Sequence, residues 1–148
     1  MSEVFTLRRQ VEFNHCDPAG IVFYPRYFEM ISATVERFFA DEVGMAWADM
    51  DFLAGAGTPL GEIEARFHAP SRLGEMLDLS LRVERIGRTS LAARIDCACS
   101  GESRFTCRAT MIHANTNAGG SVPWPDAARA HMARYLISET QEQDKKSA

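Results

Sequence analysis

At 148 residues, with 46% hydrophobic and 24% charged residues, the chain has the make-up of one globular domain able to bury a core without disulfides or metals. Its net charge of -4 argues against nucleic-acid binding carried by bulk positive charge. Cys16, Cys97, Cys99 and Cys107 lack metal-type spacing and read as reduced core thiols of a cytoplasmic protein; neither a signal-peptide core nor an apolar run of ~20 residues occurs, so no membrane segment is expected.

Residues 4 to 13 alternate, with Phe5, Leu7, Val11 and Phe13 on one parity and Thr6, Arg8, Gln10 and Glu12 on the other, which predicts a half-buried strand. Arg9 breaks the pattern and marks an edge. From Pro25, well suited to a first helical turn, Phe28, Ile31, Val35, Phe38 and Phe39 recur at spacings of three and four until Gly44. This predicts a helix of about 18 residues, roughly 27 Å long. Met45 to Leu53 is expected to form a short second helix, ended by the Gly55-Ala56-Gly57-Thr58-Pro59 turn cluster.

Four alternating runs follow. Ile63, Ala65 and Phe67 share a face, as do Leu77, Leu79, Leu81 and Val83; next come Leu91 to Cys99, after a turn at Gly87, and Phe105 to His113, after a turn at Gly101. Such short connections imply hairpins and an antiparallel sheet. Asn115 to Pro125 reads as a loop, and Asp126 to Ser138 as a closing helix packing through Ala127, Ala130, Met132 and Leu136. The predicted organisation is a single domain over residues 1–138 and a polar, disordered tail over 139–148. Strand, long helix, then four strands predicts an α+β fold in which an antiparallel sheet curls around one central helix.

The stretch most suggestive of chemistry is His15 to Phe28, HCDPAGIVFYPRYF. Asp17 lies in a turn-forming Asp-Pro-Ala-Gly loop that runs without a polar residue towards the long helix. An aspartate there has two readings, a helix-cap or turn residue and a reactive acid. A cap needs no aromatic run behind it, and so apolar a loop predicts a partly desolvated carboxylate. No Gly-x-Ser-x-Gly elbow is present, so a serine triad is not expected. His68 and His113 have no partner at metal-ligand spacing, so no metal site is expected. On an extended backbone His15 and Asp17 share a face, so His15 either contacts substrate or pairs within its loop.

The segment Asp17-Pro18-Ala19-Gly20-Ile21-Val22-Phe23-Tyr24 resembles the signature of hotdog-fold acyl-CoA thioesterases of the 4-hydroxybenzoyl-CoA thioesterase type. The resemblance implies hydrolysis of an aromatic or short-chain acyl-CoA to the acid and coenzyme A, with no cofactor. It implies Asp17 as nucleophile or general base and the Tyr24 N–H as oxyanion donor, with His15 a further catalytic candidate. The substrate-binding residues it implies are Gly20 in the Asp17 turn, Phe23 at the helix entrance, Thr58 in the acyl pocket, and Arg88, Thr89 and Ser90 at the phosphates. Arg suits phosphate because its planar fork donates two hydrogen bonds together. On the helix, Glu29 is a conceivable assisting acid and Glu36 a solvated residue.

The same resemblance implies a homodimer with the site at its interface, commonly paired into a homotetramer, and no nucleic-acid or membrane partner. Two rivals share the fold. A non-catalytic acyl-CoA-binding module would bind without turnover. An enoyl-CoA hydratase would need an Asp-x-x-x-x-His spacing that is absent after Asp17.

Overall fold

Strict alternation builds the sheet of this protein, whose computed structural model describes residues 2–138. The predicted tail at 139–148 lies outside the described residues. Strand β1 (Phe5–Gln10), β3 (Leu60–Phe67), β4 (Met76–Ile86), β5 (Ser90–Cys99) and β6 (Glu102–Ile112) form an antiparallel sheet in the order β1-β4-β5-β6-β3. Leu77, Leu79, Leu81 and Val83 of β4 are each 0% exposed, because every second side chain turns to the same face. Leu91, Ala93, Ile95 and Cys97 of β5 lie beside them.

On that face packs helix α1 (Tyr24–Phe38), which buries Tyr27, Met30, Ile31, Thr34, Val35 and Phe38. Fully burying a large apolar side chain is worth about 1.5–3 kcal/mol. A wide π turn over Phe39–Val43 extends the helix and ends at Gly44, whose φ of 81° suits glycine. The wide turn lets the consecutive Phe38 and Phe39 both face the core, each 0% exposed. A three-stranded ribbon, β2 (Ala56–Gly57), β7 (Ala114–Asn115) and β8 (Gly120–Ser121), joins loops at one end. Helix α2 (Asp126–Ala133) closes the core.

Several expectations need correction. Strand β1 stops at Gln10, and Phe13 is 85% exposed in a 3-10 turn over Phe13–His15 instead of facing the core. The Val11 N–H still bonds the Glu75 carbonyl in register with β4, at 2.8 Å; the chain then leaves the sheet in the 3-10 turn, where the His15 N–H bonds the Glu12 carbonyl at 2.9 Å. The predicted second helix is a single 3-10 turn at Trp47–Asp49, bounded by extended backbone at Ala46 and Met50. Helix α2 ends at Ala133 and packs through Ala128 and Met132, with Tyr135 just beyond; Ala127, Ala130 and Leu136 are exposed. The first and second of these contacts are one helical turn apart, and alanines on both faces hid the buried one. The predicted loop over Asn115 to Pro125 contains the β7–β8 hairpin.

Sheet order sorts the functional candidates. Because β1 pairs with β4 through Gln10 and Met76, the loop after β1 lies at the Met76 end of the sheet. The β4–β5 turn lies at the other end, eleven residues of β4 away, about 36 Å at the usual strand rise. Edge strand β3 spans both ends, with Phe67 opposite Phe105 at one and Leu60 opposite Met111 at the other.

Candidate active site

The loop between β1 and α1 is a closed turn. Cys16 and Val22 form an antiparallel bridge. Inside it the Asp17 N–H bonds the Ile21 carbonyl at 2.9 Å, and the Gly20 N–H bonds the Asp17 carbonyl at 3.0 Å. Gly20 has a φ of 79°, and no atom lies within 4 Å of an added Cβ, so backbone conformation and not space calls for glycine there. Asp17 is half-buried. Its Oδ1 accepts the Ala19 N–H at 2.9 Å, an Asx turn, and among the described residues no donor is bonded to Oδ2. One oxygen is held by the loop while the other is available to a reactant.

Asp17 is not a helix cap. The cap position is Phe23, which offers no side-chain bond, and its N–H donates to the His15 carbonyl at 2.9 Å. Tyr24 opens the helix, Pro25 has no N–H, and the Arg26 N–H bonds the Phe23 carbonyl at 2.9 Å. The Tyr24 N–H therefore has no acceptor among the described residues, at the end of α1 where the helix dipole favours negative charge. The Tyr24 ring is 63% exposed and contributes little packing. A cavity of about 330 Å³ adjoins this entrance, walled by Ile21, Val22, Tyr24, Tyr27 and Phe67 among others.

His15 behaves differently from the extended-strand expectation. The 3-10 turn folds its ring back so that Nδ1 accepts the Glu12 N–H at 2.8 Å. It lines a separate cavity of about 210 Å³ with Arg9, Glu12 and Glu29. Asp17 is not part of that wall. Glu29 is ion-paired to Arg26 at 2.7 Å, and Glu36 is exposed.

Asp17, Gly20, Phe23 and Tyr24 thus sit together at one end of the sheet, and the remaining candidates gather at the other. Thr58 lines a mainly apolar cavity of about 330 Å³ with Phe28, Ile31, Val35, Trp47 and Ile63, and also lines a neighbouring one of about 360 Å³. Arg88, exposed, Thr89 and Ser90 form the β4–β5 turn. The turn is braced by backbone bonds from Gly87 to Ser90 (2.8 Å), His113 to Thr89 (2.7 Å) and Trp124 to Arg88 (3.0 Å). The Trp124 indole donates to the Ser90 carbonyl at 2.9 Å and stacks on His113, ring centroids 4.9 Å apart.

The sequence reading missed Trp47. Its indole Nε1 is withdrawn from solvent, has no acceptor among the described residues, and belongs to a side chain lining both cavities beside Thr58. Nothing in its sequence context marks it, since an aromatic before a turn cluster is ordinarily a packing residue. It also missed the pair of buried Arg104 with half-buried Glu75 behind the Asp17 loop, where Arg104 Nη1 and Nη2 reach the two Glu75 oxygens at 2.7 and 2.8 Å. That guanidinium holds the Glu75 carboxyl down at about 2. Burial raises the Tyr27 hydroxyl and pushes the Cys97 and Cys107 thiols to about 12 and 11, so neither thiol suits a nucleophile. Among the described residues no group of three or more His, Cys, Asp or Glu is placed to hold a metal.

An antiparallel sheet laid on one long helix, with an acid in the loop entering that helix, is the architecture of hotdog-fold thioester hydrolases. Residues 11–132 match the thioesterase-like superfamily, and the chain belongs to that family. It is 27% identical over 95 residues to 4-hydroxybenzoyl-CoA thioesterase of Pseudomonas sp. (strain CBS-3), covering 64% of this chain and 67% of that protein. A 1,4-dihydroxy-2-naphthoyl-CoA thioesterase from Synechocystis superposes with a TM-score of 0.80 at 16% identity, covering 88% and 96% of the two chains. A mutant 4-hydroxybenzoyl-CoA thioesterase, with aspartate changed to asparagine and 4-hydroxybenzoyl-CoA bound, superposes at 0.78 with 20% identity over 87% and 98%.

Proposed function

We propose that this thioester hydrolase acts on acyl-CoA esters with a compact, aromatic or short acyl group, using the Asp17 carboxylate. The observation that carries the reading is the presence of two groups unsatisfied among the described residues on one short loop and helix entrance: Asp17 Oδ2, without a donor, and the Tyr24 N–H, without an acceptor. The thioester carbonyl oxygen accepts the Tyr24 N–H. Asp17 Oδ2 then either attacks the carbonyl carbon or takes the proton of an attacking water. The acyl–sulfur bond breaks and the thiolate leaves; where Asp17 itself attacked, water then cleaves the Asp17 acyl anhydride and restores the carboxylate, and by either route water supplies the new oxygen of the acid and the proton that ends on the thiol. A thiolate leaves readily, so the barrier lies in forming the oxyanion; one such donor is typically worth about 2.7–4 kcal/mol there.

The reading needs two chains. Strand β3 is an uncovered edge flanked by exposed Leu60 and Phe67, 53% and 46% exposed, beside exposed Phe23, Tyr24, Phe52 and Leu53. Twofold antiparallel pairing of β3 with its copy brings the Leu60 end of one chain to the Phe67 end of the other. Thr58, Trp47 and the Arg88–Ser90 turn then face the partner's acid loop. In this dimer, itself paired into a tetramer, Gly20 and Phe23 frame the carbonyl, Thr58 lines the acyl pocket, and Arg88, Thr89 and Ser90 take the coenzyme A phosphates. His15 acts on the loop through Glu12. No cofactor, nucleic acid or membrane takes part, and the protein works in the cytoplasm.

The aromatic preference draws on the mainly apolar Phe28–Trp47 cavity and on the two relatives whose names carry 4-hydroxybenzoyl-CoA. A thiol-release screen over benzoyl, hydroxybenzoyl, phenylacetyl and short aliphatic CoA esters tests it, with the ring-bearing esters expected to turn over fastest. Binding of these esters without thiol release from any of them would refute it.

A further inference from the structure

We infer that Arg104 is a positioning residue for the Asp17 loop, acting through Glu75 and Ser71 to set both the carboxylate and the Tyr24 amide. A β-bulge places Arg104. Along the β5–β6 ladder Cys97 pairs with Phe105 and Ala98 with Ser103, so Arg104 is the extra residue on β6. Regular alternation would have sent it to the solvent face with Thr106 and Arg108. The bulge turns it inward next to Phe105, leaving its side chain only 8% exposed.

Inside, both Nη atoms of the guanidinium are hydrogen-bonded, while Nε is paired by charge alone. Besides its two-pronged bond to Glu75, Nη1 donates to the Pro70 carbonyl at 2.9 Å and to Ser71 Oγ at 3.2 Å, and Nε lies 3.0 Å from Glu102 Oε1. The Arg104 carbonyl accepts the His68 N–H at 2.8 Å. Glu75 Oε1 also takes the Arg72 N–H at 2.5 Å, which folds the 71–75 turn around the ion pair. Burying the Arg104 charge against a half-buried carboxylate is expensive, and apolar residues of similar volume often stabilise as well or better, so stability alone is a weak reason for such a pair. Geometry supplies a stronger one.

Ser71, 0% exposed, is where the pair meets the proposed site. Its carbonyl accepts the Val22 N–H at 2.9 Å, Arg72 bridges Ile21, and its side chain lies beside the Tyr27 hydroxyl on α1. Ile21 in turn carries the carbonyl that closes the loop onto the Asp17 N–H. Val22 lies two residues before Tyr24. A shift of Ser71 therefore moves the acid and the oxyanion donor relative to each other, and geometry at that scale governs rate more than binding.

The inference rests on the thioesterase reading for its kinetic arm but not for its structural one. Arg104→Lys retains the charge and loses the fork; Ser71→Ala removes only the hydroxyl link. In each, amide hydrogen exchange is read at Asp17, Gly20 and Val22 and at Leu79 and Ile95 in the middle of the sheet, alongside thiol release. The expected result for Arg104→Lys is exchange about tenfold faster at the three loop amides and little changed in the sheet, with kcat about tenfold lower and KM within about twofold. Ser71→Ala should move the same readouts by a smaller factor, and it decides the matter if Arg104→Lys does not fold. Equal acceleration in loop and sheet, or an unchanged loop, overturns the inference. Faster loop exchange in a protein whose wild type releases no thiol upholds it and sinks the thioesterase reading instead.

Discussion

Replacing Asp17 by asparagine isolates the charge from the loop that carries it. The Asx turn needs only an oxygen at the Oδ1 position to accept the Ala19 N–H, 2.9 Å away, and the asparagine carbonyl supplies it. The amide nitrogen then occupies the Oδ2 site, where no protein donor is displaced. Loop geometry is preserved, so the stability change should stay below about 0.5 kcal/mol, or roughly 2 °C in Tm for a domain of this size. Loss of a nucleophile or general base typically lowers rate by about 10²–10⁴-fold, equivalent to ~2.7–5.4 kcal/mol of transition-state stabilisation. Continuous thiol-release assays on the best ester should therefore show kcat reduced by at least about a hundredfold, with the ester's Kd, measured calorimetrically, within about threefold of wild type. Asp17→Ala should match that rate loss and lose roughly a further 1 kcal/mol of stability with the Ala19 bond. An asparagine variant within tenfold of the wild-type kcat would refute the role of the carboxylate.

Arg88→Ala should raise KM with little change in kcat, since an exposed guanidinium remote from the acid loop contributes binding common to substrate and transition state; an unchanged KM removes it from the phosphate site. If each site is built from two chains, co-refolding equal amounts of Asp17→Asn and a cavity-filling Thr58→Trp variant should restore about a quarter of native sites, because half the dimers are mixed and each mixed dimer holds one intact pair. Activity no higher than the sum of the parents would place the whole site within one chain. Trp47→Phe keeps a ring but removes the unsatisfied Nε1, and should reduce the kcat/KM preference for hydroxybenzoyl over benzoyl ester by about three- to tenfold. An unchanged ratio would mean that the indole N–H reads no substituent. Arg104 depresses the Glu75 carboxyl to about 2, so the stability it confers is full above the ordinary carboxylate value near 4.5 and lost as pH falls towards 2. The Tm difference between wild type and Glu75→Gln should be constant from about pH 8 to 5 and shrink below 4.5; a difference independent of pH down to 2 would contradict the pairing.

Much of the fold is local and was legible in the chain. The Leu77 to Val83 alternation, the three-four spacing from Phe28 to Phe39 and the glycine turns each specify an element from neighbours in sequence, and the sheet and helix form where those patterns lie. The Asp-Pro-Ala-Gly loop was recognisable for the same reason, since its turn is made from its own backbone and the Asp17 side chain. What escaped depends on partners distant in the chain. Phe13 keeps the parity of a core residue yet is exposed, because the chain turns off the sheet in a 3-10 turn once its pairing with β4 ends. Arg104 sits on a strand whose alternation points it outward, and only its mismatched register with β5 turns it in. His15 shares parity with Asp17, but a 3-10 turn sends its ring to Glu12. The buried face of α2 could not be chosen among its alanines without the groove it fills. Spacing along the chain brings Asp17 to Tyr24 by itself. That Thr58 and Arg88 lie at the far end of the sheet from them was decided by strand order, which comes from long-range pairing that no local pattern encodes.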